Sequence, residues 1–84
     1  MDRRKLLKRI TSGAVNDVRF ADFVDLVEAF GFELQSRKGS HLTYGRADVR
    51  QILTVQERKG EAKPYEVRQL IHLVERYNLV LEDS

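Results

Sequence analysis

The hydrophobic period of this chain changes at one point, and that change limits what the chain can fold into. In "VRFADFVDLVEAFGF" the residues Phe20, Phe23, Val24, Val27 and Phe30 recur at spacings of three and four, so they share one face of a helix. Gly31 suits the left-handed position just past a helix end, and Phe32 can fold back on the last turn as in a Schellman motif. From Phe32 the period is two: Phe32, Leu34 and Ser36 alternate with Glu33, Gln35 and Arg37. A one-sided helix followed directly by one-sided strands predicts an α+β domain in which helices cover one face of a sheet.

The strand pattern continues beyond a "KGS" turn. Leu42 and Tyr44 alternate with His41 and Thr43 until "GRAD" breaks the run. Val49, Gln51, Leu53 and Val55 then alternate with Arg50, Ile52, Thr54 and Gln56, although Ile52 puts an apolar residue on the other face and leaves the parity of this strand open. The segment "QERKGEAK" reads as a charged loop, and Pro64 suits the first turn of a helix. In "PYEVRQLIHLVERYN" the stripe Val67, Leu70, Ile71 and Val74 is amphipathic, with Asn78 near its end, and "LVLEDS" forms an apolar and then acidic tail. At the other end, Leu6, Leu7 and Ile10 in "DRRKLLKRITSG" suit a short helix packed on the domain. The expected architecture is a two-layer α-β-β-β-α sandwich with an extra N-terminal helix, the element order of double-stranded-RNA-binding domains. Its second sheet face is left open to solvent or a ligand.

With 84 residues the chain is expected to form a single domain, residues 1–84, with one site. No stretch approaches the roughly 18 apolar residues of a membrane span, and Lys8 and Arg9 interrupt any signal-peptide core, so a cytoplasmic location is expected. There is no cysteine, and the two histidines are far apart, so neither a metal site nor a small-molecule cofactor is expected. The net charge of +2 is unevenly spread. Arg3, Arg4, Lys5, Lys8 and Arg9 open the chain, an acidic stretch follows, and from Arg37 to Arg68 basic residues again outnumber acidic ones. That bias attracts phosphate if the fold gathers these side chains on one surface.

If Leu42 and Tyr44 point to the core, His41 and Thr43 point outward, which sets His41 beside Arg37, Lys38 and Gln35 on the open face. Histidine accepts and donates protons near neutral pH, adjacent cations stabilise charge developing on a phosphate, and the Gly39 and Ser40 amides can bond a phosphate oxygen. These are the parts of a minimal phosphodiesterase. An exposed strand histidine without catalytic work has the same pattern. His72 projects opposite the apolar stripe of its helix and reads as a solvated residue. Tyr44 and Tyr65 each read either as a core aromatic or as a hydroxyl reaching the site.

Together, "GFELQSRKGSHLTY" and "KGEAKPYEVRQLI" resemble the HicA family, the ribonuclease half of bacterial HicA–HicB toxin-antitoxin modules, over roughly residues 19–78. Residues 1–13 lie outside this core as an N-terminal helical extension. The resemblance implies a metal-independent endoribonuclease that cleaves mRNA and is neutralised by a HicB-type antitoxin. It sets His41 on the family's catalytic histidine, with Gly39 and Ser40 on the preceding turn, and Lys38, Lys63, Tyr65 and Arg68 on recurrent positions. Arg37, Lys38, Gly39, Ser40, Lys63 and Arg68 are then the residues expected to hold the RNA phosphate. Leu42 stands where the family often has a second histidine. The competing expectations are a non-catalytic RNA- or DNA-binding module and a module that binds only a partner protein.

Overall fold

The computed structural model describes residues 2–81. It is an α+β sandwich: α1 (Arg3–Thr11), α2 (Phe20–Ala29), β1 (Glu33–Lys38), β2 (His41–Arg46), β3 (Val49–Arg58), β4 (Glu61–Ala62) and α3 (Pro64–Tyr77). The four strands form one antiparallel sheet in the order β1-β2-β3-β4. The acidic end of the tail, residues 82–84, lies outside the described residues.

Local chemistry sets the boundaries of these elements. Asp2 caps α1 by accepting the Arg4 N–H at 2.8 Å. Gly31 takes φ +88° after α2; its N–H donates to the Glu28 carbonyl and the Phe32 N–H to the Val27 carbonyl, which completes the Schellman motif. Pro64 opens α3, and Asn78 closes it in the left-handed conformation.

One hydrophobic cluster joins the layers. Phe23, Leu26, Val27 and Phe30 of α2 and Val67, Leu70 and Leu73 of α3 pack against Leu42, Tyr44, Leu53 and Val55 of the sheet, and Leu6 and Ile10 of α1 belong to the same cluster. The buried stripes are rotated slightly from those expected. Leu26 and Leu73 are buried, whereas Phe20, Val24, Ile71 and Val74 are only partly so, and Phe20 and Val24 line an open groove beside α2.

The sheet differs from expectation in two respects. The segment "QERKGEAK" is a hairpin: β3 runs on to Arg58, Lys59 and Gly60 both take positive φ (53° and 79°), and Arg58 pairs with Glu61 across this two-residue turn. Positive φ at both central residues is the type I′ signature, whose twist matches antiparallel strands. The second difference is a register shift in β1 between Leu34 and Ser36. Leu34 opposes Tyr44 and Arg37 opposes Leu42, so both lie on the helix side, where Leu34 remains 45 % exposed at the lip of a groove beside α2. In β3, Leu53 and Val55 face the helices and Ile52 faces outward at 54 % exposure, which settles the parity.

Candidate active site

The β1–β2 connection is the two-residue turn Gly39-Ser40, with Lys38 and His41 as opposed residues. Gly39 takes φ +59° and Ser40 does not share a positive φ, the pattern of a type II′ turn, which demands glycine at its first central position. On the other side His41 opposes Gln56 of β3. Opposed residues project from the same face, so Lys38, His41 and Gln56 form a row on the sheet face away from the helices. His41 is exposed there, while its chain neighbour Leu42 is buried.

Side-chain hydrogen bonds extend this row. Gln56 Nε2 donates to Ser40 Oγ at 2.9 Å, and Lys63 Nζ donates to Gln56 Oε1 at 2.8 Å. The glutamine amide therefore links the turn preceding His41 to the Lys63 ammonium. Behind it lies Glu66, a fully buried carboxylate. Its Oε2 accepts the Gln56 backbone N–H at 2.8 Å and its Oε1 the Lys63 backbone N–H at 3.2 Å. A buried carboxylate is tolerated when both oxygens are bonded, and the first turn of α3 adds a favourable field. Glu66 thus fastens β3 to the start of α3 and sets where Lys63 leaves the backbone. Sequence reading passed over Gln56 and Glu66. The available signal was the spacing of Glu66, three residues after the N-cap Lys63, where an acidic residue bonds the cap's N–H.

Lys38, Gly39, Ser40 and Lys63 are thus gathered around His41. Arg37 is not: the register shift turns it to the helix side, against the α2 groove and close enough to Tyr44 to act on its hydroxyl. Arg68 is not either, because it is exposed on the side of α3 opposite the buried Val67, Leu70 and Leu73, with the helix between it and the sheet. Gln35 also lies apart, its amide packed where a Cβ on Gly45 would stand, 2.6 Å from that position.

The tyrosines take different places. Tyr44 is buried on the helix side, its hydroxyl donating to Glu28 Oε2 at 3.2 Å. Burial raises its pKa above the usual phenol value and the Glu28 carboxylate adds to this, with Arg37 acting weakly against. It is the core aromatic of the two alternatives and does not share the His41 face. Tyr65 is 57 % exposed, and the Lys63 ammonium lies 5.9 Å from its ring centroid. His72 is exposed on α3, as its helical phase implied.

A row of lysine, imidazole and amide flanking a glycine turn can bind a phosphodiester and move a proton at it. No helix among the described residues is long and apolar enough to cross a membrane. Neither the curated proteins nor the solved structures compared with the chain yield a match. Among protein families, residues 20–75 match the one described as the HicA toxin of bacterial toxin-antitoxin, a span that begins with α2 and ends within α3 and contains the whole His41 row. That span is more than half of the chain, and the protein therefore belongs to the HicA toxin family, the toxin side of a toxin-antitoxin system with an antitoxin as partner.

Proposed function

We propose that the protein is an endoribonuclease that cleaves mRNA without a metal ion, uses His41 as its proton-transfer group, and is held inactive in the cytoplasm by a HicB-type antitoxin. The observation that carries this reading is the row Lys38, His41, Gln56 on the open sheet face, with Lys63 tied to it through the Gln56 amide. His41 takes the proton from a ribose 2′-OH as O2′ bonds to phosphorus; the P–O5′ bond breaks, and the proton returns to the leaving 5′-oxygen. Lys38, Lys63 and the Gly39 and Ser40 amides hold the phosphate and offset the charge that grows on it. With Tyr44 on the other side of the sheet, the second proton transfer falls to water or to the same imidazole acting in turn. Such a site is slow, which suits a toxin that needs few turnovers.

The test is cleavage of a single-stranded RNA in excess EDTA by wild type and His41→Ala, with circular dichroism and RNA binding measured alongside. Loss of cleavage with fold and binding retained is the expected result. Equal cleavage by both proteins excludes His41 as the catalytic group, and binding without cleavage by wild type turns the reading to a nucleic-acid-binding module.

A further inference from the structure

The chain has seven aromatic residues, and six of them have a place in or against the core. Phe23, Phe30, Phe32 and Tyr44 are buried, Phe20 packs partly against the cluster, and Tyr77 does so while donating its hydroxyl to Gln51 Oε1 at 2.6 Å. Tyr65 alone stands in solvent, on the first turn of α3 beside the rigid Pro64. Its ring contributes nothing to the core and is not needed to start the helix, which Pro64 and the bonds to Glu66 already secure.

Its position relative to the candidate site is well defined. Lys63 Nζ lies 5.9 Å from the ring centroid and, on its other side, bonds Gln56 Oε1, the neighbour of His41. Tyr65 is therefore linked to His41 through Lys63 and Gln56. The ring is 57 % exposed beside that ammonium, so it has surface open to a further partner. Beyond Lys63 and Pro64 an open depression leads to Arg58 and Lys59 at the tip of the β3–β4 hairpin, but Asp17 and Glu61 line it too, so its charge is mixed and the cation beside the ring is Lys63. An ammonium at the proposed phosphate site with an exposed aromatic ring beside it is the recognition chemistry of unpaired nucleic acid, because every base has a π-face and every linkage a phosphate.

We propose that the Tyr65 ring is a stacking platform for an unpaired nucleobase flanking the phosphate at His41, with the Lys63 ammonium holding the phosphate between them. This rests on the ribonuclease reading and adds to it a residue that contacts a base and so favours unpaired RNA over a duplex. A duplex keeps its bases stacked inside the helix and cannot present one to this ring.

The experiment measures binding with cleavage chemically blocked, so its result does not depend on the role of His41. A labelled oligoribonucleotide with 2′-O-methyl sugars, single-stranded or in a duplex, is titrated with wild type, Tyr65→Ala and Tyr65→Trp, and anisotropy gives the Kd. Tyr65→Ala is expected to weaken single-strand binding by about tenfold, within the range that one stacked base supplies. Tyr65→Trp is expected to restore it, and duplex binding to change little. Should the alanine variant unfold, Tyr65→Leu gives the same comparison with side-chain volume largely kept. Single-strand binding unchanged in Tyr65→Ala, equal losses for single strand and duplex, or no binding by wild type overturns the proposal. Failure of the ribonuclease reading alone shows separately, as unmodified RNA cleaved equally by wild type and His41→Ala.

Discussion

Glu66 accepts the backbone N–H of Gln56 at 2.8 Å from the far side of the β3–α3 junction, and its second oxygen takes the N–H of Lys63. One buried side chain thus fixes both partners of the Lys63–Gln56 contact on the open sheet face. Removing it leaves two backbone donors without their acceptor in a position closed to water. Glu66→Ala is expected to lose roughly 2–4 kcal/mol of stability, with Glu66→Gln losing less because one carbonyl oxygen remains. Urea denaturation checks this through the transition midpoint, and an unchanged midpoint in Glu66→Ala contradicts the structural role.

Gln56 links Ser40 to Lys63 without carrying a charge, and substitution can separate its hydrogen bonding from its neutrality. Gln56→Ala frees both Ser40 and Lys63, and cleavage is expected to fall about fivefold, the worth of one ordinary hydrogen bond, mainly in kcat. Gln56→Glu retains an acceptor for Lys63 and can receive the Ser40 hydroxyl, but it brings a negative charge to the proposed phosphate site. Its expected effect is therefore a raised KM that relaxes with added salt. Steady-state kinetics of the two variants on one RNA distinguish these outcomes.

Much of the architecture was legible in the chain because it follows from local rules. The Gly31 termination, the Pro64 start, the alternation in β2 and the outward turn of His41 each depend on residues within one or two turns of the feature. The parts that were not legible depend on partners far away or on backbone geometry without a compositional mark. The shift between Leu34 and Ser36 needs no glycine or proline, yet it moves Arg37 to the other face of β1. The β3–β4 hairpin turns on Lys59-Gly60 rather than Asn-Gly, and its charged strand ends resemble a loop. Gln56 was therefore missed as a neighbour of His41, and Glu66 was passed over although it is fully buried.

The placement of Arg37 and Lys38 makes neighbouring cations a test of the register. Lys38 opposes His41, while Arg37 opposes Leu42 and lies along the α2 groove. Lys38→Ala is expected to reduce cleavage by about tenfold, the scale of one charge-assisted hydrogen bond, whereas Arg37→Ala stays within about twofold. Equal losses in both variants, measured as kcat/KM on the same RNA, show that the strand register in solution differs from this one.

The α1–α2 contact supplies a pH dependence that is independent of the site. Arg3 holds Asp25 with two hydrogen bonds, Nε to Oδ2 at 2.7 Å and Nη2 to Oδ1 at 2.9 Å, and this pair lowers the Asp25 pKa below the ordinary 3.8 against a smaller opposing effect of burial. A carboxyl with a lowered folded pKa adds stability that is fully present above its unfolded pKa and is lost as the pH falls from there through the folded value. Both side chains are more than a third exposed, so solvent screens the pair and its worth is at most about 1 kcal/mol. The expected result is that wild type and Asp25→Asn differ modestly in stability at pH 7, and that the gap closes as the pH is lowered below about 4. Denaturation midpoints across that range check it. A gap that stays constant down to pH 2 assigns the difference to packing at the α1–α2 contact, because only the ionised carboxylate holds the Arg3 fork.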